Sequence, residues 1–115
     1  MTTDCLFCKI LAGEVPSTEV LSTDTTYAFR DIQPTAPTHV LVIPREHIEN
    51  ADVVGPEHGP VLADLVTTAQ RVAEQEGIRE RGYRLVFNVG DDASNSVPHL
   101  HLHVVGGRQL RWPPG

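Results

Sequence analysis

The stretch VPHLHLHVVGG, residues 97–107, sets three histidines at every second position. His99, His101 and His103 alternate with Leu100 and Leu102, and they are half of the chain's six histidines. A period of two is the mark of a β-strand, in which successive side chains point to opposite faces. Read this way, the three imidazoles share one face and Leu100, Leu102 and Val104 the other. The leucine face belongs to the core, and the histidine face to a cleft or to solvent.

Working outward from that strand, the chain divides into short elements. CLFCKILAG (5–13) reads as a short helix closed by Gly13, a common residue just past a helix end. STEVLST (17–23) and TYAFRDI (26–32) read as strands around a polar turn at Asp24 and Thr25. QPTAPT (33–38) carries Pro34 and Pro37 and is a loop. HVLVIP (39–44) is a dense apolar run, expected as a buried strand. From Pro60 to Glu76 the residues Leu62, Leu65, Val66, Ala69, Val72 and Ala73 recur at three- and four-residue steps, the face of a helix. Pro60 suits its first turn and Gly77 its stop. YRLVFNVG (83–90) reads as a strand and GDDASNSVP (90–98) as a polar loop. RWPPG (111–115) continues neither kind of element. The expected fold is α+β: about five strands, antiparallel where short turns join them, with one long and one short helix.

The 115 residues suit a single domain with one core. Nine basic against fifteen acidic residues give a net charge of -6. The basic residues are scattered, so no polymeric nucleic acid is expected as partner. The start, MTTDCLFCKI, lacks the basic segment and apolar core of a secretory leader. No apolar run approaches the ~18 residues of a membrane span. A cytoplasmic, reduced setting follows, in which Cys5 and Cys8 form no structural disulfide.

Three aligned imidazoles admit several chemistries. A solvated, histidine-rich strand face is the plainest. A metal is the next, but His99 and His103 would lie ~13 Å apart along a strand at ~3.3 Å per residue, so one ion takes two of the three. Nucleophilic and acid–base work is the third. Neutral imidazole is nucleophilic, and a pKa near ~6.5 keeps that form available at neutral pH. Attack on phosphorus would give a phosphoryl- or nucleotidyl-histidine, with neighbouring histidines stabilising charge on the oxygens. His39, opening HVLVIP, joins the cluster if its strand lies beside HLHLHVV; otherwise it is an ordinary strand-start residue. His58, in GPEHGP, is expected to be exposed.

HLHLHVV resembles the His-φ-His-φ-His-φ-φ signature of the histidine-triad (HIT) family of nucleotide hydrolases and transferases. AFRDIQPTAPTHVLVIPREHI is similar to that family's N-terminal half and NSVPHLHLHVVGGRQLRWPPG to its C-terminal half. The GGRQ…WPPG ending is similar to the Hint branch of purine nucleoside phosphoramidases. The resemblance implies that His101 is the nucleophile on the α-phosphorus. His103 would contact the phosphate oxygens, and His39 would support charge or proton balance. Ser96 would meet the phosphate or leaving group, and Asn88 the phosphate and ribose. Asp31 would bind the ribose hydroxyls, a task suited to an acceptor-only carboxylate; taken alone it is a turn residue. Ile32 would line the base pocket. Trp112 lies in a tail that would reach toward the partner's site in a homodimer. Two positions depart from the family. Asn95 stands where many relatives carry Gln, and Ser94 where eukaryotic members carry Gly, with consequences for how closely the backbone approaches a phosphate.

Cys5-Leu6-Phe7-Cys8 has the C-x₂-C spacing of half a zinc site, though two cysteines near a terminus are also ordinary buried thiols. Some bacterial relatives are similar in carrying zinc on a Cys₂His₂ set, which here implies His47 and His99 as the other half. Such a closed set is structural, no cofactor being needed for the chemistry itself, and it frees His101 and His103 for substrate.

The leading expectation is a hydrolase of purine nucleoside phosphoramidates such as adenylyl–amine conjugates. A dinucleoside polyphosphate hydrolase of the same family is an alternative that the WPPG tail disfavours. A nucleotide- or zinc-binding interaction module is another, as is a zinc metallohydrolase, which needs an open metal position.

Overall fold

The structure, a computed structural model, describes residues 4–115. The reading of the chain's start as no leader falls partly on residues 1–3, outside the described residues. A short helix α1 (Leu6–Leu11) comes first, with Cys5 as its cap: the thiol accepts from Cys8 N–H at 3.4 Å. Gly13, at φ +78°, follows its end. The strands are β1 (Glu19–Ser22), β2 (Thr26–Arg30), β3 (Thr38–Pro44), β4 (Tyr83–Val86) and β5 (Leu102–Gly106). The long helix α2 (Gly59–Gln75) lies between β3 and β4. Single 3-10 turns occupy Ala51–Val53, Pro56–His58 and Asp91–Ala93.

The five strands make one sheet in the order β1-β2-β3-β5-β4, antiparallel at every pairing. β3 is central and buried along its whole length. One of its faces packs Val40 and Val42, with Ala28, Leu102 and Val104, against Leu65, Ala69, Val72 and Ala73 of α2. The other packs Leu41 and Ile43 with Phe29, Cys5 and Phe7. A strand covered on both sides carries no polar alternation, which is why HVLVIP reads as a continuous apolar run. No helix among the described residues is long and apolar enough to cross a membrane.

Several expectations shift. β2 stops at Arg30 rather than Ile32, and β4 at Val86 rather than Gly90. Val66 is 39% exposed, off the core face of α2. Thr68 is buried in that face instead, its hydroxyl 2.7 Å from that of Thr26. A pattern search for apolar residues cannot see a threonine whose hydroxyl is satisfied. His58 is half-buried, its ring accepting Gly55 N–H at 2.9 Å. The largest change concerns the triad. β5 begins at Leu102, so His99 and His101 precede the strand and the three rings do not share a strand face. His99 turns away and is fully buried.

Candidate active site and metal centre

The sheet face opposite α2 carries His39 and His103. His103 pairs with Leu41 across β3 and β5, and His39 with Val105. His39 and His103 are therefore diagonal neighbours on one face, close enough for long side chains to meet. Their rings do so, Nε2 of His39 lying 2.9 Å from Nδ1 of His103. The direction of that bond follows from Thr35. Its backbone N–H donates to Nδ1 of His39 at 3.1 Å, so the neutral ring keeps its proton on Nε2 and donates it to His103. His103 then carries its own proton on Nε2, the atom 3.4 Å from the Asn88 amide. Nδ2 of Asn88 is the atom placed there, and the amide turned over presents its oxygen to accept from that Nε2–H.

His101 is set differently. Its Nδ1 lies 2.7 Å from the carbonyl oxygen of His99. A carbonyl only accepts, so Nδ1 bears the proton and Nε2 holds the free lone pair. Its ring is 5.0 Å from that of His103 and meets Phe7 edge-on at 5.2 Å. Burial pushes the His101 pKa down, against the opposing pull of the His99 carbonyl and the Asp31 carboxylate. His103 falls to about 4, through burial first and then the neighbouring His101 and His39. Both rings are thus neutral at neutral pH: one presents a free Nε2 lone pair, the other an uncharged N–H.

Asp31 follows β2 directly. Its Oδ1 accepts Gln33 N–H at 2.8 Å, and its Oδ2 lies 3.4 Å from Nε2 of His39. Asp31, His39 and His103 offer ligand atoms within 4.8 Å of one another, the makeup of a two-histidine, one-carboxylate metal site. Thr35 argues against that use, because a neutral His39 that accepts at Nδ1 has no lone pair at Nε2.

The loop before the triad holds the remaining polar residues. Ser94 caps the 3-10 turn Asp91–Ala93 in left-handed backbone, φ +61°. Oδ1 of Asn95 is buried without a hydrogen-bond partner. Ser96 is exposed. None of the three bonds to the histidines among the described residues. Ile32 is 94% exposed and Trp112 81%, so neither is in a formed pocket within one chain. A cavity of about 540 Å³ lies elsewhere, lined by Thr38, Ile78, Arg81, Tyr83 and Leu110 among others and by none of the triad histidines. The histidine site instead faces solvent beside half-buried Asp31, Asn88, His101 and His103.

The other imidazole lies in a second cluster. Nδ1 of His99 is 3.4 Å from Cys5 Sγ, 3.5 Å from Cys8 Sγ and 3.2 Å from Nδ1 of His47. Cys8 Sγ is 3.3 Å from Nδ1 of His47, and all four ligand atoms lie within 4.8 Å of one another. A zinc tetrahedron with bonds of ~2.3 Å to sulfur and ~2.0 Å to nitrogen has edges of about 3.3–3.8 Å, so the cluster fits such an ion. Nε2 of His99 donates to the Pro44 carbonyl at 2.9 Å, which leaves the Nδ1 lone pair for the metal. Burial raises the Cys5 thiol pKa and lowers that of His99. A cation reverses the first effect and exploits the second.

Three contributors have little or no sequence signal. The Pro44 and His99 carbonyls are backbone acceptors, invisible to any residue pattern. Thr35 sits in a loop whose composition announces only a turn. Phe7 had a signal: it lies inside the C-x₂-C run that the metal set ties down.

Comparison with known proteins follows the same lines. The HIT domain family matches residues 12–110. The purine nucleoside phosphoramidase of Escherichia coli K12 is 44% identical, with 96% of this chain and 92% of that protein covered. A 14 kDa zinc-binding protein of Brassica juncea is 45% identical over 97% of this chain and all of its own length. The crystal structure of a HIT family hydrolase from Legionella pneumophila superposes with a TM-score of 0.94 at 50% identity, covering 96% of this chain and 99% of that one.

Proposed function

The chain belongs to the HIT family and is an enzyme of that type, and from this we propose that it hydrolyses the P–N bond of purine nucleoside phosphoramidates. The observation that carries the reading is the 2.7 Å bond from His101 Nδ1–H to the His99 carbonyl, which leaves Nε2 as a neutral nucleophile. Nε2 attacks the α-phosphorus, and the P–N bond breaks as the N–P bond forms. The leaving nitrogen takes a proton from solvent and departs as the amine, and a nucleotidyl-histidine remains with its Nδ1–H in place. Water then attacks the same phosphorus and returns a proton to solvent, the N–P bond breaks, and the nucleoside monophosphate departs with His101 restored.

His103 donates its Nε2–H to a phosphate oxygen, where charge builds in both steps. His39 holds the tautomer of His103 through the 2.9 Å bond and is assigned the proton balance of the pair. Asn88 lies at the same edge and meets the phosphate and ribose. Asp31 binds the ribose hydroxyls with the base over Ile32. Ser96 serves the phosphate or the leaving group, with Ser94 and Asn95 shaping the phosphate loop.

Cys5, Cys8, His47 and His99 hold a structural zinc, which when bound supplies cross-linking rather than chemistry. The four-ligand set offers no open position, which counts against a metallohydrolase. The 115 residues work as one domain, in the cytoplasm, as a homodimer to whose partner site Trp112 contributes. The sheet edge at β4, with Leu85 exposed, supports that assembly.

The test is rapid quench with an adenosine phosphoramidate, followed by mass spectrometry of the peptides. An adenylylated peptide containing His101 is expected within one turnover. Release of nucleoside monophosphate with no such adduct, or no release at all, sinks the reading.

A further inference from the structure

The two centres share a residue. The ring of His99 belongs to the metal set, while its backbone carbonyl holds Nδ1–H of His101. That carbonyl lies outside the sheet, since the β5 ladder starts at Leu102. The peptide unit joining His99 to Leu100 is held instead from its other side, where Leu100 N–H donates to the Ile48 carbonyl at 2.6 Å. Ile48 is the neighbour of His47. Both handles on this peptide unit therefore come from metal-set residues or the residue beside one. A third tie is Phe7, between Cys5 and Cys8, which meets the His101 ring edge-on at 90° and the His99 ring at 6.0 Å.

We propose that the metal set positions the nucleophile. With His99 and His47 fixed on one ion, the peptide unit 99–100 keeps its carbonyl aimed at Nδ1–H of His101, and the ring is held in the tautomer that presents Nε2 to phosphorus. His99 is thus a positioning residue as well as a ligand. The proposal rests on the zinc and nucleophile assignments made above. It adds that the zinc is not merely a staple for the N-terminal segment. A ring free of this restraint could take the other neutral tautomer, whose proton on Nε2 blocks attack.

The experiment uses the full chain and His47→Gln, which alters an exposed ligand and opens no hole in the core. Zinc content is measured for both, and any zinc left on the variant is extracted with a chelator. Side-chain ¹⁵N shifts of His101 are read at about pH 8, above the usual histidine range. The unaltered chain is expected to show the Nδ1–H tautomer alone. The zinc-free variant should show a mixture with the Nε2–H form, with kcat down about tenfold and KM within about twofold. Slow amide exchange at Val40 and Val104 certifies that the fold persists. A zinc-free variant with one tautomer and unchanged kcat overturns the proposal. Should that variant unfold, cadmium in place of zinc in the intact chain shifts His99 through its longer bonds, and an unmoved His101 resonance overturns it equally. A chain that turns over substrate while His101 ignores the metal sinks the coupling and leaves hydrolysis standing. A tautomer that follows the metal in a chain without turnover does the reverse.

Discussion

His39 donates from Nε2 to Nδ1 of His103 at 2.9 Å, from one strand to the next, with ring centroids 5.2 Å apart. The same nitrogen lies 3.4 Å from Oδ2 of Asp31. One backbone N–H, that of Thr35, thereby sets the proton positions of two rings in succession. Replacing His39 with Ala leaves a depressed, half-buried His103 without its donor. Turnover of a phosphoramidate should fall about 10²-fold, with the ¹⁵N spectrum of His103 showing a loss of the single tautomer. A kcat unchanged in that variant excludes the relay.

His101→Gly removes the nitrogen on which the proposed intermediate forms. Turnover should drop by about 10⁴-fold or more, while circular dichroism and the melting profile stay close to those of the unaltered chain. Retained turnover would mean that water attacks phosphorus directly.

Acid should destabilise the fold through its buried imidazoles. His101 and His103 both sit below the ordinary histidine range, His103 at about 4, and burial is the largest cause each time. Rings depressed in the native state bind fewer protons than the unfolded chain between about pH 6.5 and their folded values. Their contribution is therefore complete above about pH 6.5 and disappears as pH falls toward about 4. The urea midpoint should be level from about pH 8 to 7 and decline steadily below, with a shallower decline in His103→Gln. Equal slopes in the two chains would take His103 out of this account.

Metal analysis of the purified chain should find about one zinc per chain, bound by four ligands. Chelation should lower the melting temperature by roughly 10 °C or more, since a ligand that binds only the native state stabilises it by mass action. A metal-free preparation with the same melting temperature and no uptake of added zinc would leave Cys5 and Cys8 as ordinary buried thiols.

Ser94 adopts φ +61°, where an L-residue with a side chain is strained by ~1–2 kcal/mol. Glycine removes that strain but adds about 0.5–1 kcal/mol of unfolded-state freedom. Ser94→Gly should therefore raise stability by about 0.5–1 kcal/mol in urea unfolding, and a loss of stability would show that the Ser94 hydroxyl holds the loop.

The sequence carried the sheet because apolar content and period are local properties. HVLVIP could only be a buried strand, and the leucine and alanine spacing of α2 survived apart from Val66. The triad was legible in its residues and not in its geometry. Strict alternation reads as one strand, but the buried His99 ring turns toward Cys5 and Cys8 and delays the start of β5 to Leu102. Whether His39 reaches His103 depends on which strands are neighbours, and nothing local to either strand encodes that. Strand ends failed for a related reason. Ile32 and Val89 prolong the apolar alternation after Arg30 and Val86, yet the chain there leaves the ladder, and Asp31 and Asn88 fall just past those exits.

β3 is packed on both sides, with His39 toward His103 and Val40 toward α2. Loss or gain of one amino acid within 38–44 would exchange those two surfaces, burying imidazole against Leu65 and Val72 and turning valine toward His103. Length variation across natural or designed versions of this chain should accordingly be confined to segments that carry no relay or ligand residue, such as 49–58, and a frame-preserving indel in the central strand should be lethal to folding and turnover at once.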